Sequence, residues 1–173
     1  MKYLAPRAVW LFFIQTLFFF FIIYLVLGFF SFFFTVIAIQ ETGRIETSAL
    51  LSGVIVEILI LSLILVVSYG WAKLTYNRYK YEVRPDGFRK EHGVVFKKYV
   101  TIPYERIQNV DIYRGILARL LGLSDLWIQT AGMSTGFGSY GAGVEGRLPG
   151  LTIEDAEKLR DELIKRAKGN QGL

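Results

Sequence analysis

Few residues in this chain have the type and spacing to do chemistry. There is no cysteine among the 173 residues, so disulfides and thiolate metal sites are excluded. His92 is the single histidine and stands in a polar strand-to-turn stretch, so any Ser–His arrangement would have to use it. A solvated turn residue is the plainer reading. Gly136, Gly138 and Gly141 spell GxGxxG, but a dinucleotide site needs a strand leading straight into a helix. Gly143, Gly146, Pro149 and Gly150 follow instead, which leaves a loose surface loop whose Phe137 and Tyr140 are candidates to dip into a bilayer or a partner. Glu154 and Asp155 read as helix-capping residues, not as a catalytic pair. No constellation requires catalysis, a metal or a cofactor.

Two groups of charges are more informative. Glu57 lies inside an apolar run, where a charge costs about 2.5–3.5 kcal/mol on insertion scales, so it is a functional candidate by default. Counting back the same depth from the other side of an antiparallel pair reaches Gly28 and Ser31. Glu57 is therefore expected to be protonated or hydrogen-bonded near Ser31, or to pair across an oligomer. As glue for a helix pair it would be structural; as part of a polar path it would serve conduction. The second group is Arg84, Arg89, Lys90, Lys97, Lys98 and Arg106, candidates for anionic lipid contact or simply a solvated sheet edge. Strand alternation would point Lys97 and Lys98 to opposite faces.

The elements that must position these residues divide at Tyr79. Ala8–Ile39 holds no charge and Ala49–Ala72 supplies a second apolar run, each longer than the roughly 20 residues that cross a hydrocarbon core. The first is too long for a cleaved signal peptide, whose apolar core is about 7–15 residues. Gln40–Ser48 is a short loop, with Gly43 the expected turn. Lys2 and Arg7 precede the first span and Lys73, Arg78 and Lys80 follow the second, against Arg44 alone in the loop, which predicts both termini in the cytoplasm of a plasma-membrane protein. Tyr69, Trp71, Tyr76 and Tyr79 suit an aromatic belt, and the run from Phe18 to Phe34 a lipid-facing surface. The formal net charge of +5 resides past the second span, as expected beside anionic headgroups. Nucleic acid is the less fitting partner.

Past the spans, period-two alternation predicts strands over Tyr79–Arg84, Phe88–His92 and Val94–Ile102, the last with Val94, Phe96, Val100 and Ile102 on one face. Pro85-Asp86-Gly87 is a turn. Ile107–Arg114 resumes with Ile107 out of phase, predicting a bulge. Ile116, Leu117, Leu120 and Leu121 share a face of a short helical turn, and Leu126–Ala131 is a further strand. Gly132–Gly146 reads as a flexible loop. Thr152 and Asp155 open an amphipathic helix over 152–168, with Gly169 as its stop. The expected domains are 1–78, a two-helix transmembrane hairpin, and 79–173, a cytoplasmic β domain in which a strongly curved antiparallel sheet or barrel is capped by the C-terminal helix.

The run YEVRPDGFRKEHGVVFKKYVTIPYERIQNVDIYRGILARLLGLSDLWIQTAG, followed by GRLPGL and a terminal helix, resembles the membrane-flanked bacterial and archaeal pleckstrin-homology-like (PH-like) domain family, the YdbS-like proteins. Gly93, Ile102-Pro103-Tyr104, Arg106-Ile107, Arg119 with Gly122-Leu123, and Thr130-Ala131-Gly132 carry the likeness. The resemblance implies a non-enzymatic docking module for proteins, peptides or headgroups, without cofactor. Arg89-Lys90 and Lys97-Lys98 only approximate the phosphoinositide pattern of eukaryotic relatives. The expected function is protein docking or assembly at the cytoplasmic face, with an unnamed partner and self-association. Transport through Glu57 and anionic-headgroup sensing are the alternatives, and Leu120 and Phe137 are the positions at which a partner would be sought.

Overall fold

In the computed structural model, residues 1–42, 47–130 and 144–171 are described. They form two units: Met1–Phe12 with Leu74–Leu173, and Phe13–Lys73.

The apolar unit consists of the long stretches of two helices, α1 (Ala8–Thr42) and α2 (Thr47–Arg78). Both are long and apolar enough to cross a membrane, over Ala8–Ile37 and Leu51–Arg78. At about 1.5 Å per residue either outreaches a hydrocarbon core of about 30 Å. Their surfaces expose Phe18, Phe19, Phe29, Phe30 and Phe32–Phe34, as lipid-facing side chains must. α2 runs past Ala72 to Arg78, because nothing in KLTYNR breaks a helix. Gly43 lies outside the described residues.

The other unit is a β domain with a C-terminal helix. One sheet has the order β1 (Lys2–Tyr3), β2 (Lys80–Val83), β3 (Phe88–His92), β4 (Lys98–Ile102); a second has β5 (Ile107–Tyr113), β6 (Leu123–Thr130), β7 (Val144–Thr152). All pairings are antiparallel. The barrel is not closed: among the described residues β4 and β5 are not hydrogen-bonded neighbours. The shift between Ile107 and Asn109 is the bulge that the phase of Ile107 predicts. α3 (Ile116–Leu120) links β5 to β6, and α4 (Ile153–Gln171) packs Ala156, Leu159, Leu163 and Ala167 into the core beside Phe88, Ile102, Leu126 and Ile128. Asp155 N–H donates to Thr152 Oγ1 at 3.1 Å, the predicted N-cap.

Several expectations are corrected. Val94–Lys97 is a loop, not the start of a strand. Gly93 has φ +108°, and a Cβ there would run into the Phe96 carbonyl oxygen, so the chain turns where alternation continues on paper. Phe96 is 87% exposed as a result. In α3 the buried residue is Ala118, and Ile116 and Leu120 face outward. β7 was hidden by its glycines and proline. Gly146 is there because Ile102 and Ile128 leave no room for a Cβ, and register shifts accommodate the irregular pairing. α4 passes through Gly169 to Gln171. The N-terminal residues, apolar enough to read as membrane, join the β domain. Lys2 and Tyr3 extend the sheet, and Leu4, Ala5, Ala8 and Leu11 are buried in its core. Tyr76 and Tyr79 also reach into the domain, donating to the carbonyls of Leu4 (3.3 Å) and Arg147 (2.8 Å).

Candidate functional site

Antiparallel register brings one set of residues to one end of the β domain. β2 starts at Lys80, directly after α2 ends at Arg78, and Lys80 pairs with Glu91 while His92 pairs with Lys98. The end of β3, the loop 93–97 and the start of β4 therefore lie level with the root of α2. Here a hollow of about 250 Å³ is lined by Arg78, Lys80, Lys97 and Lys98, with Glu91 and His92 between them. Four cations against one carboxylate make it an anion-attracting concavity. Lys97 and Lys98 thus line the same hollow, contrary to the alternation expectation, because Lys97 belongs to the loop and not to the strand.

His92 is not a solvated turn residue. It ends β3, is half-buried and stacks on Tyr79 with centroids 5.4 Å apart. Its Nδ1 is buried with no hydrogen-bond partner among the described residues. Burial, then the charges of Lys90 and Lys98, hold the imidazole below its ordinary range. Burial pushes the Tyr79 hydroxyl well above the usual phenol range, partly opposed by Arg147.

Of the remaining predicted cations, Arg84, Arg89 and Lys90 are engaged elsewhere. Arg84 donates to Glu82 at 2.7 Å, and Arg89 to Glu91 at 3.0 Å while lying over the Tyr99 ring. Lys90 is buried and donates to the Arg147 carbonyl at 3.2 Å. Arg106 is exposed on a short turn, Tyr104–Arg106. Leu120 is exposed on α3. Phe137, Tyr140 and most of the glycine-rich stretch lie outside the described residues.

In the apolar unit, Glu57 and Ser31 line the same two hollows, of about 480 and 350 Å³, together with Gly28. Tyr24 lines both hollows as well, and its hydroxyl interacts with the Glu57 carboxyl. Tyr24, Gly28 and Ser31 are spaced by four and three, one face of α1, and that periodicity would have found it. Arg78 and Lys80, which in the sequence bear only on orientation, line one hollow with Lys98.

Asp125 also escaped notice. It sits in the register shift between Ser124 and Leu126, buried, accepting from Arg147 Nη2 at 2.6 Å and from the Gly150 N–H at 3.3 Å. Both interactions hold β6 and β7 together, which explains the carboxylate structurally. Among the described residues, no group of three His, Asp or Glu could hold a metal ion.

A family model described as Bacterial PH domain matches residues 8–167. Over 93 residues the chain is 28% identical to the UPF0699 transmembrane protein YdbT of Bacillus subtilis (strain 168), covering 54% of this chain. The chain spans about 17% of that relative's length. No solved structure is significantly similar to it. The match takes in both apolar helices as well as the β domain and α4. This membrane-associated chain belongs to the bacterial PH domain family.

Proposed function

We propose that the chain is a non-enzymatic membrane protein that displays its PH-like domain at the cytoplasmic face as a docking module for a protein partner, with self-assembly through the spans or the domain. The observation that supports it most is the open sheet. Among the described residues β4 has β3 on one side and no hydrogen-bonded strand on the other, and Lys98, Tyr99 and Thr101 are exposed along it. An unpaired edge of this kind accepts a further strand, and Lys98 limits indiscriminate pairing. Tethering to the bilayer raises the effective concentration of a weak contact, so a modest edge suffices. The family is one of PH-like membrane proteins and is not a known enzyme family. Two carboxylates of the β domain serve its structure, Asp125 in a pair with Arg147 and Glu91 in a pair with Arg89.

Glu57 fits the same reading as helix-pair glue, since Tyr24 supplies the carboxyl with a partner. The experiment that tests docking is photocrosslinking in native membranes from a benzophenone side chain at Tyr99, read by mass spectrometry. The expected result is one reproducible protein adduct. Recovery of uncrosslinked monomer alone would overturn the reading.

A further inference from the structure

We infer that the end of the β domain from which both helices depart is a lipid-binding face, inserting Val95–Phe96 and Ile116–Leu120 into the leaflet that the helices enter. It rests on the membrane association of the chain and not on the protein-docking reading.

The first fingertip is the loop 93–97. Register places it beside the root of α2, one residue beyond the Lys80–Glu91 and His92–Lys98 pairs. Its Val95 is 71% and Phe96 87% exposed. Gly93, in a conformation that side chains rarely adopt, holds the turn tight enough to present both.

The second fingertip is α3. β1 leads directly toward α1, and the Ala5 N–H donates to the Gly150 carbonyl at 3.1 Å. A Cβ on Gly150 would strike Ala8, and one on Gly122 would lie 3.5 Å from Arg7 Nη1. The end of β7, the start of β6 and α3, which precedes it, therefore lie at the root of α1. Ile116 is 78% and Leu120 79% exposed.

Four large apolar side chains left bare at the end that chain connectivity joins to two spans have one fitting cover, the bilayer itself. The cations complete the match. Arg78, Lys80, Lys97 and Lys98 surround the hollow beside the first fingertip, and Arg7 and Arg119 accompany the second. Apolar tips ringed by cations suit acyl chains beneath anionic headgroups. A water-soluble partner would offer no reason for both tips to gather where the helices emerge.

The chain has no cysteine, so single reporters are simple to introduce. The full chain is reconstituted in 3:1 phosphatidylcholine–phosphatidylglycerol vesicles, with Phe96→Cys, Leu120→Cys or Asp86→Cys carrying a bimane label. Asp86 is exposed on the turn between β2 and β3, away from the helix roots. Brominated phosphatidylcholine is expected to quench the labels at 96 and 120 several-fold more than the label at 86, with the reverse order for aqueous iodide. Val95→Cys and Ile116→Cys report the same two tips should either first variant fail to fold. Equal bromolipid quenching at the tips and at 86 would overturn the inference. So would tips shielded from iodide yet untouched by bromolipid, because another protein surface, such as a second copy, would then cover them. Absence of a Tyr99 crosslink would defeat the docking reading and leave this result unaffected.

Discussion

Asp125 is a buried carboxylate whose partners all lie on β7. Replacing it with Ala leaves the Gly150 N–H and the Arg147 guanidinium without their acceptor. Arg147 is half exposed and can turn to water, so the expected loss is about 2–3 kcal/mol, near the value of hydrogen bonds to a charged group and below that of a fully buried pair. Chemical denaturation of the full chain in detergent, followed by Trp fluorescence, checks it; a midpoint equal to wild type contradicts it. His92 gives a pH dependence of definite sign. Its folded-state imidazole is held low by burial and by Lys90 and Lys98, so the unfolded chain takes up that proton at higher pH than the folded chain does. The residue has no effect above the ordinary imidazole range, near about pH 6.5, and costs stability as pH falls below it. Thermal midpoints at pH 7.5 and 5.5 are expected to fall further apart in wild type than in His92→Gln. Neither residue's environment was legible in the sequence. His92 looks solvated because its neighbours in the chain are polar, while Tyr79, thirteen positions away, covers its ring.

At the scale of elements, what repeats along the chain was readable and what depends on a single backbone angle was not. The two apolar helices, the hairpin β2–β3, the bulge in β5 and the capped α4 follow from hydropathy, alternation and the Thr152–Asp155 spacing. Val94–Lys97 did not, because the alternating pattern runs straight through a turn that Gly93 imposes. β7 did not, because Gly146, Pro149 and Gly150 look like breakers until Ile102, Ile128 and Ala8 are seen pressing on the glycines. Gly93→Ala is accordingly expected to cost about 1–3 kcal/mol through backbone strain, with protease susceptibility rising first at the 93–97 loop. An unaltered cleavage pattern and midpoint would refute this. Between the helices, Tyr24→Phe and Glu57→Gln are expected to be non-additive by about 0.6 kcal/mol in a double-mutant cycle, the average for polar contacts in membrane helices. Strict additivity would separate the two side chains. Glu57→Leu with unchanged assembly and activity would remove any special role for the carboxylate.

For the molecule as a whole, the candidate site was partly legible. The basic residues were visible as a class, but only register shows that Arg78, Lys80, Lys97 and Lys98 share one hollow while Arg84, Arg89 and Lys90 are bound within the domain. Similarly, the exposed apolar tips become meaningful only once β1 and α2 show which end of the domain carries the helix roots. The proposed cytoplasmic placement of that end follows from the distribution of Lys and Arg, with Lys2 and Arg7 before the first span and Lys73, Arg78 and Lys80 after the second. Protease treatment of intact cells and of inverted membrane vesicles tests this placement most directly. Protease added outside intact cells is predicted to make no cut between Lys80 and Arg166, whatever it does at the outer loop that holds Arg44, whereas inverted membrane vesicles yield cleavage in that interval. Cleavage in that interval from outside intact cells, or recovery of the full chain in a detergent-free soluble fraction, would contradict it.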